Sequence, residues 1–85
     1  MNKKRQPGLL EKHVRLVAEF GMVIRQTRKK AGLSQKEAAS MCNVGTRFLS
    51  DLENGKPSIH LGKTMQVLRA FGFVVILKKK TPFDE

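Results

Sequence analysis

Of the 85 residues, one is cysteine, three are proline, and none is tryptophan or tyrosine; five phenylalanines make up the whole aromatic complement. A single cysteine closes no disulfide within the chain, which points to a reducing, cytoplasmic setting. So few aromatics argue against an exposed base-stacking platform of the kind that holds single-stranded nucleic acid. No apolar run approaches the length of a bilayer span, so no membrane partner is expected. The basic start "MNKKRQPG" lacks the apolar stretch of a secretory signal. His13 and His60 stand isolated, and with one cysteine they offer no metal-ligand spacing. No nucleophile–base pair or glycine-rich phosphate loop is legible, so neither an enzyme nor a cofactor is expected. Acids are scarce as well: 7 Asp and Glu face 17 Lys and Arg, a formal net charge of +10 with a pI of about 10.4. What remains, 40% hydrophobic and 28% charged, is the composition of a single folded domain. Its basic surplus points to a polyanion.

That surplus is uneven. Residues 1–30 carry nine basic and two acidic side chains, residues 31–56 three of each, and residues 57–85 five and two. The middle third is therefore neutral, and any long-range attraction to a polyanion must come from its flanks. Residues 1–8 read as a basic tail closed by Pro7-Gly8. Leu10, Val14, Val17, Gly21, Ile24, Arg28 and Ala31 recur at spacings of three and four, the stripe of one amphipathic helix. That helix spans Leu9 to Ala31, or starts nearer Leu16 with 9–15 as a separate piece, because Gly21 weakens it or admits a close neighbour. Gly32 supplies its stop.

A denser set of signals follows. Ser34-Gln35-Lys36-Glu37 matches the capping box, with Ser34 as N-cap and Glu37 three residues on. A short helix to about Cys42 is expected, then a left-handed residue at Asn43. Gly45 caps a third helix, Thr46 to about Glu53, which Asn54-Gly55 ends. After Pro57-Ser58 a fourth helix is expected from about His60 to Ala70, with Leu61, Met65 and Leu68 inward, Val67 and Phe71 adjoining, and Gly72 as its stop. "FVVIL", Phe73 to Leu77, is apolar on both alternating faces and rich in β-branched residues, the composition of a strand. Lys78, Lys79 and Lys80 behind it suit a guard against open-ended pairing. No other segment reads as a strand, and a lone strand leaves its backbone groups without partners. Phe73, Val74, Val75, Ile76 and Leu77 are therefore expected to pair with their copies across a homodimer; the alternative is a strand or extended tail laid over the helices.

The two short helices around Asn43 have the form of a helix-turn-helix, the unit that lays its second helix in the DNA major groove. Ala38, Cys42, Val44, Leu49 and Leu52 are its apolar positions, and Ala39 is small where the helices would cross. Thr46, Arg47, Ser50 and Asp51 face outward. Cys42 reads as a packed apolar side chain, and Phe48 as packing on the turn or on the fourth helix. Arg28 lies on the inward stripe of the first helix and Glu53 near the inner face of the third. Two charges drawn inward should pair, and an arginine fork suits a carboxylate.

From Arg28 to Gly72 the chain resembles the Cro/Xre-type helix-turn-helix family, through its "LSQ" start and "LENG" end. "GTRFLSDLENGKP" with the apolar strand behind it is similar to HipB-like antitoxins and repressors. The resemblance implies a mainly α, lambda-repressor-like domain of four to five helices over 9–72, a dimerisation strand over 73–80 and a tail over 81–85. It also implies phosphate contacts from Ser34 and Gln35 and base contacts from Thr46, Arg47 and Asp51, with Ser50 second. Backbone contacts would follow from Asn54 and Lys56, and the Arg28–Glu53 ion pair is implied again. Arg47 can donate two hydrogen bonds to guanine, and Thr46 can touch a thymine methyl or a phosphate. Asp51 can accept from a cytosine amino group or simply pair with Arg47 one turn away. The function implied is a homodimeric repressor on palindromic double-stranded DNA. More narrowly, it is the antitoxin of a bacterial toxin–antitoxin pair, bound to a HipA-like kinase toxin and nucleoid-associated on DNA. A free-standing regulator and an interaction module that no longer reads DNA are the alternatives.

Overall fold

A computed structural model describes residues 14–81 of the chain. The proposed tail 1–8, residues 82–85 of the proposed tail 81–85, and Leu9, Leu10 and His13 lie outside the described residues. Four helices follow one another: α1 Val17–Lys30, α2 Gln35–Cys42, α3 Thr46–Glu53 and α4 Leu61–Ala70. α1 packs on α3, and α2 packs on both α3 and α4.

Each helix begins and ends with local chemistry written in the sequence. Glu19 in the first turn of α1 reaches back and accepts from the backbone amides of Arg15 and Leu16. Those amide bonds hold its carboxyl below the usual range. The helix thus starts at Val17, the later of the two expected starts. α2 carries the reciprocal capping box: Glu37 N–H donates to Ser34 Oγ at 3.0 Å, and Ser34 N–H donates to Glu37 Oε1 at 2.8 Å. α4 is capped by His60, which the sequence reading placed at the start of the helix itself. Lys63 N–H donates to His60 Nδ1 at 3.1 Å, so the imidazole accepts one of the helix's first free amides.

All four helices end in a similar way. A left-handed residue stands at the cap or just after it: Gly32, Asn43, Gly55 and Gly72. Paired amide-to-carbonyl bonds close the last turn, as from Gly55 to Leu52 and Lys56 to Asp51. Asn43, at φ 58° and ψ 45°, holds that conformation as the only non-glycine with positive φ among the described residues. Asparagine tolerates it better than other residues with a side chain.

The core is built from Ile24, Ala38, Ala39, Cys42, Leu49, Leu52, Val67 and Leu68, with Phe20, Leu33, Val44, Phe48, Ile59, Met65, Phe71 and Phe73 packed around it. Burial of each large aliphatic side chain here stabilises the fold by about 1.5–3 kcal/mol. One sequence expectation for the core changes, and one open alternative closes. Leu61, expected inward, is 65% exposed. As the first residue of α4 it projects past the end of the core, and the buried face centres on Thr64, Val67 and Leu68 instead. Gly21 follows the second of its two sequence readings, the close neighbour, because it lies where α1 crosses α3. A Cβ built there would sit 2.0 Å from the Leu52 carbonyl oxygen and 3.1 Å from the Glu53 carbonyl carbon. Only glycine lets the two backbones approach so closely.

The expected strand is not formed within this chain. Residues 73–81 carry no ladder, since no described segment offers an edge to pair with. Phe73 departs from the strand reading altogether: its amide donates to Leu68 O at 2.9 Å, ending α4, and its ring packs against the core. Val74, Ile76 and Leu77 beyond it are 82%, 71% and 96% exposed.

Candidate nucleic-acid interface

The neutral segment that the charge pattern isolates folds as α2, a turn at Asn43-Val44-Gly45, and α3. Three attachments hold it. Ala38 and Ala39, essentially without exposed surface, let α2 lie close against its neighbours. Gln66 of α4 donates from Nε2 to the carbonyls of Cys42 and Asn43, at 2.9 and 3.1 Å, and so ties the turn to α4. The third attachment is the buried Arg28–Glu53 pair. Arg28 Nε donates to Glu53 Oε2 at 2.6 Å and Nη2 to Oε1 at 2.9 Å, the two-pronged geometry of guanidinium on carboxylate. Its Nη1 donates to Leu33 O at 2.8 Å.

Burial alone would raise the Glu53 carboxyl. The bonds from Arg28 and Gln35, with the Arg28 charge, outweigh it and hold the group below the usual range. The pair clamps α1, the start of α2 and the end of α3 at a single point. The sequence expectation of an inward pair thus holds geometrically.

Gln35 is aimed differently from its expected phosphate contact. Its Nε2 donates to Glu53 Oε1 at 3.1 Å, so the half-buried side chain turns towards the clamp. One N–H of that amide remains for another acceptor. Ser34 uses its oxygen and its backbone amide within the capping box, which leaves its exposed hydroxyl proton to donate.

α3 divides cleanly. Leu49, Leu52 and Glu53 are buried, while Thr46, Arg47 and Asn54 are exposed and Ser50 and Asp51 half-buried on the other side. The structure therefore brings all four expected reading residues to one face. Asn54 Nδ2 donates to Ser50 Oγ at a long 3.5 Å. Phe48 packs on the core, in keeping with the sequence expectation, with the Lys63 ammonium 5.8 Å from its ring centre. Cys42 is buried in the α2 core face, where desolvation pushes its thiol up and away from reactivity.

Asp51 is the one acid on the outward face, and two cations share it. Arg47 Nε lies 3.8 Å from Oδ1 and Lys56 Nζ 3.6 Å from Oδ2. The left-handed Gly55 turns the chain back, so that Lys56 N–H bonds Asp51 O and the two side chains meet. With the Arg47 side chain 92% exposed, these ion pairs contribute little to stability.

The signals sequence reasoning missed are the Gln66 tie, the His60 cap and the inward turn of Gln35. Only the His60 cap had a local clue, a side-chain acceptor directly before an amphipathic run. Among the described residues, no helix is long and apolar enough to cross a membrane.

Comparison with known proteins agrees with this geometry. A helix-turn-helix family profile matches residues 24–74, which span all but the start of α1 through α4. The chain is also similar to an uncharacterized HTH-type transcriptional regulator, y4mF, of Sinorhizobium fredii. They are 41% identical over 63 residues, 74% of this chain and 83% of that protein. With α2 and α3 joined by a three-residue turn, clamped from behind and bare in front, the chain belongs to the helix-turn-helix family.

Proposed function

We propose that this protein is a sequence-specific, DNA-binding transcriptional repressor that acts as a homodimer. The observation that carries this reading is the division of α3. Its back is locked by Leu49, Leu52 and the Arg28–Glu53 clamp, and its front offers Thr46, Arg47, Ser50 and Asp51 without competing packing. α3 enters the major groove, where Arg47 donates in two-pronged fashion to guanine O6 and N7. The Ser34 hydroxyl, the remaining Gln35 N–H, Asn54 and Lys56 hold phosphates on either side. The basic flanks add the salt-dependent attraction that the neutral α2–α3 unit lacks. The likeness to the Sinorhizobium protein, itself an uncharacterized HTH-type transcriptional regulator by name, supports the same reading.

The dimer reading is supported by the exposed apolar run Val74 to Leu77, a β-branched patch that a lone chain would leave in water. Paired two-fold with its copy, that run would set two α3 helices on half-sites about 34–36 Å apart, or a multiple of it. The resemblance of "GTRFLSDLENGKP" to HipB-like proteins extends the reading to an antitoxin that autoregulates its operon and binds a HipA-like kinase toxin. A kinase co-purifying at fixed stoichiometry is the expected sign of that role. Its absence would leave the free-standing regulator.

One set of binding curves tests the core of the proposal. The wild type is expected to select a palindrome from random duplexes, with affinity falling steeply as salt rises. Arg47→Ala should lose about 1–3 kcal/mol of discrimination at one base pair. Lys56→Ala should weaken all sequences alike and flatten the salt slope by about 0.9. A chain ending at Phe73, which keeps the close of α4 and its core contact, should sediment as a monomer and lose the palindrome preference. Salt-independent binding by the wild type would overturn the DNA-reading role, and a dimer surviving truncation would overturn the strand pairing.

A further inference from the structure

Asp51 is an anion at the centre of a surface proposed to meet a polyanion. It is too exposed for its ion pairs to stabilise the fold much, and it is more enclosed than either cation around it. Its side chain is 30% exposed, against 92% for Arg47 and 53% for Lys56. It contacts both the side chain proposed to read guanine and the one proposed to hold the backbone. Gly55 enforces the second contact by folding Lys56 back over the end of α3.

We propose that Asp51 sets specificity by exclusion: its carboxylate occupies Arg47 and Lys56 on any sequence that does not give it a donor, and so suppresses binding to non-cognate DNA. This rests on the DNA-reading role of α3. The physical argument is one of competing anions. On arbitrary DNA, the phosphates must draw Lys56 and Arg47 away from a carboxylate already beside them. That carboxylate then faces groove edges dominated by acceptors: guanine O6 and N7, adenine N7 and thymine O4. Each such contact is repulsive. The cytosine amino group is a donor without a neighbouring acceptor on the same base edge, so it suits a carboxylate. At a site with cytosine under Asp51 and guanine under Arg47, both partners of the internal pair are exchanged for base partners. The cost elsewhere is the specificity.

The experiment compares wild type, Asp51→Asn, Asp51→Ser and Asp51→Glu on two probes. One is the duplex that wild type recovers best from a random library, and the other is sonicated mixed-sequence DNA. Asp51→Asn keeps the shape and removes the charge. It is expected to bind mixed-sequence DNA about tenfold tighter, with a salt slope steeper by about 0.9, because one more cation is released to phosphate. Its preference for the selected duplex should fall at least as much. Asp51→Ser should behave alike, and Asp51→Glu, which keeps the charge, should retain weak mixed-sequence binding. Unchanged mixed-sequence affinity in Asp51→Asn overturns the proposal. So does an equal gain on both probes, which would reduce Asp51 to bulk charge, and so does Asp51→Glu tracking Asp51→Asn. Failure of wild type to bind either probe sinks the DNA-reading role itself, a separate result.

Discussion

Glu53→Ala is expected to lower the free energy of unfolding by about 3–5 kcal/mol, because it leaves the Arg28 guanidinium buried without its counter-charge. A domain of 85 residues has about 4–13 kcal/mol in all. The variant should therefore sit near the edge of folding. Both side chains are almost enclosed, at 9% and 2% exposure, so water cannot replace the lost partner. Gln35 Nε2 would lose its acceptor at the same time. Arg28→Met with Glu53→Leu removes both charges, and should recover more than half of the loss. Urea denaturation of Arg28→Met, Glu53→Leu and the double variant measures the coupling, and strictly additive costs would refute the clamp.

The pair also makes stability acid-sensitive. The Glu53 carboxyl lies below its unfolded value in the folded chain. Its contribution is therefore fully present above the ordinary glutamate value, about 4.3, and is lost as pH falls through the lowered folded value. Thermal melts should fall as pH drops below that point. In Glu53→Gln the fall should be shallower, with what remains coming from Glu19 and Glu37, both lowered by hydrogen bonds to their helix caps.

Gly21→Ala is the second large effect, and its sign is diagnostic. In an exposed helix interior this change stabilises by about 0.8–1.0 kcal/mol, since alanine is the better helix former. At this crossing the added methyl would meet the Leu52 carbonyl oxygen at 2.0 Å and the Leu52 carbonyl carbon at 3.0 Å. Those atoms belong to the backbone of α3 and have no rotamer to escape into. α1 must lift away from α3, which also pulls Arg28 from Glu53. A net loss of about 2 kcal/mol or more is expected, beyond ordinary overpacking relieved by helix propensity. A shift of the urea midpoint to higher concentration would show that the helices do not cross where the structure places them.

Much of the candidate site is legible in the residues alone. The capping box at Ser34 and Glu37, the turn at Asn43, the stop at Gly55 and the outward set from Thr46 to Asp51 all rest on hydrogen bonds or periodicities spanning five residues or fewer. Residue type can specify such features by itself. Even the Arg28–Glu53 pair could be anticipated, because two charges on inward stripes have few other solutions.

What the sequence by itself determined is therefore where the helices stop, where α2 and α3 start, and which face of α3 is free. Tertiary structure decided the rest: which of its two readings Gly21 follows, where α1 begins, that Gln66 ties the turn and Gln35 the clamp, that Val67 and not Leu61 lies inward on α4, and that Lys56 joins Arg47 on Asp51. The physical reason is range. Caps and turns are settled by neighbours along the chain. A carbonyl 31 residues away, at Leu52, is what forbids a side chain at Gly21, and no local pattern records its approach.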